Sequence, residues 1–593
     1  MRQFFITLLA VIIGGFVFMI LLFMLLMGIG AAAGAAVGGG DKDKASSQTV
    51  LTLDLRAPMQ DHGGAVSLFG ETRLNVVDTV RALHRAKSDD KIKGLLIRTG
   101  FGMAPASAEE IRLALLDFKD SGKFIISHSQ GFEAPSILPY MAVTASDEIW
   151  QQDTTGFVAT GLNSETGFYG GIFEKYDAKA QFAQFYEYKN AANVYTKSDF
   201  TDAHREATTS YLTSLYDTSV AHIAKDRGFT TQEITERLNA APLAAEQAHE
   251  MGLIDKLGHY IDAENAAKEK AGGKDTKLLA VNKYGPGISV TGDVIAFIGG
   301  QGPVTMGRSQ DGGPFSRGVS MGGDTLSKAF IKAADDKKVK AIVFRVSSPG
   351  GSATASDQIH NAIEIAKAAD KPIVISMGQY AASGGYYVAA NADSIVAMPM
   401  TITGSIGVLG GKLALRDTYS KIGYNVEGIK VGGNFANAYS GDEPWTQAQL
   451  KAFTDQMEDI YIDFTTLVAD GRDLPLERVQ EIAKGRVWTG EQAKSLGLVD
   501  EVGGIMKAIA IARELGGIEA DAKINLRSYP RPKSQREQFE ELFNASAQAS
   551  KEISTLRQIT ELPEVKALLE ARAKADAMSK GEILLEADIA KVQ

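Results

Sequence analysis

The chain repeats itself once, and that duplication limits the fold more than any other feature. The segment Ser88-Asp89-Asp90-Lys91-Ile92-Lys93-Gly94-Leu95-Leu96-Ile97-Arg98 is answered about 247 residues later by Asp335-Asp336-Lys337-Lys338-Val339-Lys340-Ala341-Ile342-Val343-Phe344-Arg345. Lys123-Phe124-Ile125-Ile126-Ser127 is answered by Pro372-Ile373-Val374-Ile375-Ser376, and Gly252-Leu253-Ile254-Asp255 by Gly497-Leu498-Val499-Asp500. The first matched pair joins a polar helix end to a short apolar run, the pattern of a buried strand. Alternating helices and apolar strands predict parallel sheets with crossover helices, an α/β fold. Solenoid units span only ~20–50 residues, so a period this long is a duplicated domain. The copies are expected at 48–284 and 287–517. A chain of 593 residues needs at least two cores in any case.

The flanks read differently. Phe4 to Ile29 carries no charge and exceeds the ~20 apolar residues that span a bilayer. It also exceeds the ~7–15 residues of a cleavable signal core, although Ala31-Ala32-Ala33 offers small residues for cleavage. A membrane anchor within 1–40 is therefore expected, with Asp41 and everything after it on the outer side. After Tyr529-Pro530-Arg531-Pro532 the chain is rich in Glu, Ala, Lys and Leu, which predicts a helical tail over 533–593.

Composition removes several kinds of chemistry. There is no cysteine, so thiolate nucleophiles, disulfides and cysteine zinc sites are excluded. None of the 8 histidines forms a helical metal pair, so neither metal nor cofactor is expected. The net charge of −10 and the lack of a basic run argue against nucleic acid.

The second copy holds three glycine-rich turns. Ser347-Ser348-Pro349-Gly350-Gly351-Ser352 follows an apolar strand, and adjacent glycines there free backbone N–H groups to act as an oxyanion hole. Ala381-Ala382-Ser383-Gly384-Gly385-Tyr386-Tyr387 places a serine between strand and helix. Thr403-Gly404-Ser405-Ile406-Gly407-Val408 presents a second serine. Singly, each could be a plain turn.

Together with Val487-Trp488-Thr489-Gly490, these turns resemble the long form of the signal peptide peptidase A family, serine peptidase family S49. The likeness covers the anchor and both copies, and leaves out the tail. It implies tandem ClpP/crotonase-like domains and a Ser–Lys dyad, with Ser405 as nucleophile and Lys189 of the first copy as general base. Gly350 and Gly351 would form the oxyanion hole. It further implies cleaved signal peptides and other apolar peptides as substrates, and a homo-oligomer, a tetramer with inward-facing sites. The implied location is the bacterial inner membrane, single-pass, with the catalytic domains on the periplasmic side.

The repeat supports a split site. At an offset near 248, Gly156-Phe157 stands where Gly404-Ser405 stands, and Lys189 falls opposite Gly432-Gly433-Asn434. Each half thus keeps one member of the dyad. The base must be neutral to work, and aromatic neighbours Phe182, Phe185, Tyr186 and Tyr188 could bury it. Ser383 is the rival nucleophile, because ClpP-like proteases carry theirs in such a turn. Those enzymes also need a histidine, and neither His128 nor His360 sits in a convincing motif. Lys197 and Lys430 are lesser candidates for the base. Two other readings remain: a non-catalytic membrane scaffold of the same fold, and an acyl-CoA enzyme, which a place beyond the membrane would deprive of its substrate.

Overall fold

The computed structural model describes residues 45, 48–63, 74–100, 102–287, 291–312, 318–531 and 584–586. The expected anchor at 4–29 lies outside them. Among the described residues no helix is long and apolar enough to cross a membrane.

Two sheets share one design. The first runs, edge to edge, Lys256–Leu257, Glu148–Gln151, Phe124–Ser129, Ile92–Thr99, Thr49–Asp54 and Lys277–Ala280, all parallel. In the second, the corresponding order is Glu501–Val502, Ser394–Ala397, Ile373–Ala382, Val339–Ser348, Asp293–Gln301 and Ile524–Tyr529. The central strands are buried almost throughout, as parallel strands covered on both faces must be. The second unit therefore extends past 517, since Ile524–Tyr529 completes its sheet.

Side-chain hydrogen bonds repeat as well. The Ile149 N–H donates to Asp255 and the Ile395 N–H to Asp500, both at 2.8 Å. The Tyr140 hydroxyl donates to Leu253 O and the Tyr386 hydroxyl to Leu498 O, again both at 2.8 Å. Each buried phenol meets a carbonyl that would otherwise face apolar neighbours.

The halves do not hang as separate beads. One apolar core runs from Leu95, Ile111 and Tyr140 of the first unit to Val343, Val374 and Ile505 of the second. Helix Pro105–Lys119 lies in this seam and is buried along most of its length. Its polar side chains meet the second unit's backbone: Glu109 accepts from the Met400 N–H at 2.9 Å and Glu110 from the Ile505 N–H at 2.6 Å.

One further stitch is ionic. Arg345 is 1% exposed and pairs with Asp61 at 2.6 Å and Glu110 at 2.7 Å, both from the other unit. Its third partner is Ser376, 2.9 Å away. Burial would raise the Asp61 carboxyl, but the charge and hydrogen bonds of Arg345, with His62, outweigh it and hold it well below its ordinary value. That contribution to stability is complete above the unfolded value near ~3.9 and is lost as pH falls through the lower native value.

The tail expected as helical over 533–593 lies outside the described residues except for Leu584–Glu586. Those three form a strand, not a helix. Partner strands flank them on both sides, and such pairing overrides a helical composition.

Replacing Arg345 by Met strands two buried carboxylates. Arg345→Met is expected to lower stability by about 3–5 kcal/mol, measured by urea unfolding at pH 7. A change under about 1 kcal/mol would show that the ionic seam is dispensable.

Candidate active site

The three glycine-rich turns converge because three strands end side by side. Ser348, Ala381 and Thr403 form one row across the second sheet: Ser348 pairs with Ala381, and Ala381 with Thr403. Two residues further along each chain come Gly350, Ser383 and Ser405. The carboxyl ends of parallel strands are where open α/β sheets place their chemistry. The turns also touch. A Cβ on Gly385 would lie 2.7 Å from Ser348 O, so only glycine lets the Ser383 turn close on the Gly350 turn.

Ser383 sits at φ 54°, ψ −117°, between the strand Ile373–Ala382 and the short helix Gly384–Tyr387. A non-glycine residue in this region is strained, and a sharp strand-to-helix turn of this kind is how hydrolases present a nucleophile. Ser405 also has a positive φ, 49°.

The lysine arrives from the other half. Strand Lys179–Phe185 of the first unit pairs antiparallel with Val408–Ala414 of the second, with Phe185 opposite Val408. The chain then turns, and the N–H groups of Tyr186 and Tyr188 both donate to Lys484 O at 3.2 Å. This clamp presses the Lys189 backbone against Gly485. A Cβ on Gly485 would sit 2.5 Å from Lys189 Cβ, and one on Gly407 would sit 2.5 Å from Phe185 O.

Lys189 is fully buried. Its Nζ donates to Ser383 Oγ at 2.6 Å, to Ser405 O at 3.0 Å and to Ser405 Oγ at 3.2 Å. The two hydroxyls are not equivalent. Ser405 Oγ–H donates to Gly485 O at 3.2 Å and Ser405 N–H to Arg486 O at 2.7 Å. Ser405 is thus tied at both ends to the 485–486 segment. Ser383 makes the shortest contact with the amine.

Expectation and structure compare residue by residue. Lys189, Ser405 and Ser383 meet in one buried cluster. Gly350 and Gly351 lie on the neighbouring strand Gly350–Ser352, with φ of 105° and 151°. The Gly350 N–H donates to Ser348 Oγ at 3.2 Å. His360 stacks edge-on against Tyr387 at 5.9 Å, and His128 bonds Gly258 O in the first unit. Lys197 and Lys430 are exposed.

The repeat alignment shifts by two residues. Phe157 faces Leu243 as Thr403 faces Trp488, so the counterpart of Ser405 is Ala159, not Phe157. The first unit still lacks a hydroxyl there. Gly485 was missed by sequence reasoning; its only signal was a Lys-Gly-Arg turn before Val487-Trp488-Thr489.

Two stretches, 118–274 and 365–519, match the model of peptidase family S49, one in each half. The chain belongs to that family. It is a serine peptidase with tandem family domains. The chloroplastic serine protease SPPA of Arabidopsis thaliana is 31% identical, over 82% of this chain and 72% of its own length. Protease 4 of Salmonella typhi is 32% identical, over 75% of this chain and 72% of its own length. A putative signal peptide peptidase SppA of Enterococcus faecium is 35% identical over 29% of this chain and 50% of its own.

Gly485→Ala forces Lys189 away from both hydroxyls. A displacement near 1 Å costs on the order of 100-fold in rate. The expected result is that loss in kcat/KM on a peptide substrate with the fold retained by circular dichroism. Wild-type activity in Gly485→Ala would remove the close packing from the account.

Proposed function

We propose that the chain is a membrane-anchored endopeptidase in which Lys189 of the first unit activates Ser383 of the second, while Ser405 orients the lysine. This exchanges the roles expected for the two serines. The observation that carries it is the division of hydrogen bonds: Lys189 Nζ lies 2.6 Å from Ser383 Oγ, whereas the Ser405 hydroxyl proton goes to Gly485 O. A hydroxyl whose proton is already given to a carbonyl is the poorer nucleophile and the better support.

Burial of an amine works against its charged form, as a general base requires. Lys189 takes the Ser383 proton as Oγ attacks the scissile carbonyl. The N–H of Gly350 or Gly351 steadies the oxyanion, and Lys189 then gives its proton to the leaving amine. Water, activated by the same lysine, hydrolyses the acyl-enzyme, and Ser383 recovers its proton. The strand topology and the serine elbow favour the ClpP/crotonase-like type within the α/β class. The intact cluster speaks against a non-catalytic scaffold.

Placement supports the substrate class. The uncharged run Phe4–Ile29 would hold the catalytic units at a bilayer, on the periplasmic side of a bacterial inner membrane. The name of the Enterococcus relative points to signal peptides. Apolar side chains at Ile422, Ile429 and Val431, respectively 79%, 97% and 88% exposed, favour assembly into a homo-oligomer, with the tetramer as the expected form.

Labelling with a serine-reactive fluorophosphonate decides between the serines. Ser383→Ala is expected to abolish both labelling and peptide hydrolysis, and Lys189→Ala to slow hydrolysis by about 10²–10⁴-fold. Ser405→Ala is expected to keep a label on Ser383 at a reduced rate. A label mapped to Ser405 would restore Ser405 as the nucleophile.

A further inference from the structure

Helix Asp202–Arg227 of the first unit carries polar residues at every fourth position: Glu206, Ser210, Ser214, Thr218 and His222. Residues four apart are neighbours on a helix surface and form one ridge. Most of this ridge meets the second unit's segment 486–492. Glu206 pairs with Arg486, Ser210 accepts from Gln492 at 3.4 Å, Ser214 meets Thr489 at 2.9 Å and Thr218 donates to Glu491 at 3.3 Å. His222 bonds Glu109, whose other oxygen accepts from the Met400 N–H. Strand Val487–Thr489 in turn pairs antiparallel with Ile402–Gly404, the strand that ends at Ser405. The ridge therefore runs alongside the strands that lead to the site.

Arg486 stands at the site end of this ridge, and its backbone and side chain hold different segments. Its carbonyl accepts the Ser405 N–H at 2.7 Å. Its guanidinium makes two bonds to Glu206, at 2.6 and 2.7 Å. The same group lies over the ring of Trp488 at 4.4 Å and over that of Tyr188 at 4.9 Å. Tyr188 directly precedes Lys189, and Trp488 stands opposite Thr403, two residues before Ser405. The Arg486 side chain is 16% exposed and that of Glu206 49%. An ion pair this open adds little stability by itself. Its effect is on direction: a bidentate pair fixes the plane of the guanidinium, and a flat cation over aromatic faces is a favourable contact. Lysine offers neither the fork nor the plane.

We infer that Arg486 is a positioning residue that ties the lysine to the serines: its backbone fixes the Ser405 turn, and its side chain fixes the turn that delivers Lys189. It acts through Tyr188 and Ser405, not on the reacting atoms. The inference rests on the reading of the Lys189, Ser383 and Ser405 cluster as the active site, and it holds whichever serine is the nucleophile. Releasing the link lets the amine shift against the hydroxyls, and a misplacement near 1 Å costs on the order of 100-fold in rate. The loss falls on the chemical step, so it enters kcat and leaves KM in place.

The test follows fluorophosphonate labelling and peptide hydrolysis in the full chain carrying Arg486→Met, which keeps the backbone and an apolar stem. The expected result is a fall of about 10–100-fold in kcat and in labelling rate, with KM held within about twofold and an unchanged circular dichroism spectrum. Arg486→Lys, which keeps the charge without the fork, is expected to stay below wild type. Tyr188→Ala cuts the same link from the lysine side, so the double variant should lose no more than the worse single variant. Wild-type kcat in Arg486→Met overturns the inference, as does a loss confined to KM or losses that multiply in the double variant. Should Arg486→Met not fold, Glu206→Gln takes its place, with a lowered kcat at constant KM in support and wild-type kcat against. Wild-type protein that takes no label overturns the reading of the cluster itself; a wild-type protein that labels, with a variant that labels equally fast, overturns the positioning role alone.

Discussion

The antiparallel pairing of Lys179–Phe185 with Val408–Ala414 is the contact on which the site depends. It carries the first unit's chain across the seam and ends four residues short of Lys189. From there the backbone is held by the Lys484 carbonyl and by glycines at 407 and 485, where no side chain could fit. A lysine has a long flexible stem, and fixing it costs side-chain entropy. Here the surrounding backbone bears that cost before any substrate binds.

The seam elsewhere makes that crossing rigid. A shared apolar core, the carboxylates of helix Pro105–Lys119 and the Arg345 cluster lock the two units in one orientation. Breaking a buried ion pair leaves an uncompensated charge, so the alternative arrangements of the halves are costly. A site assembled from two units needs such a constraint, since catalysis tolerates displacements well below an ångström poorly. The duplication makes specialisation possible: one unit keeps the hydroxyls, and the other has Ala159 in place of Ser405 and supplies the amine.

The proposed division of labour between the serines rests on hydrogen-bond direction. Both hydroxyls reach the same amine, yet only Ser405 has its proton directed to a backbone carbonyl. The same strand ends that gather the catalytic groups also leave two sheet edges facing each other, and the chain's own Leu584–Glu586 lies between them.

Much of this was legible in the sequence. The duplication, the parallel α/β class and the three turns follow from local patterns, because strand hydrophobicity and glycine turns are written in consecutive residues; the pairing of Lys189 with the second unit's serines came from the family resemblance. Three things were not. The proposal of Ser383 over Ser405 rests on the Ser405 hydroxyl donating to Gly485 O, and Gly485 lies about 80 residues from Ser405 in the chain. The alignment of Ala159 with Ser405 needed strand register, which sequence spacing misjudged by two residues. The strand at Leu584–Glu586 sits in a helix-forming composition and takes its conformation from partners more than 170 residues away. Sequence determined which groups the protein would possess; only tertiary pairing decided which of them meet, because register and hydrogen-bond direction are properties of contacts between distant segments.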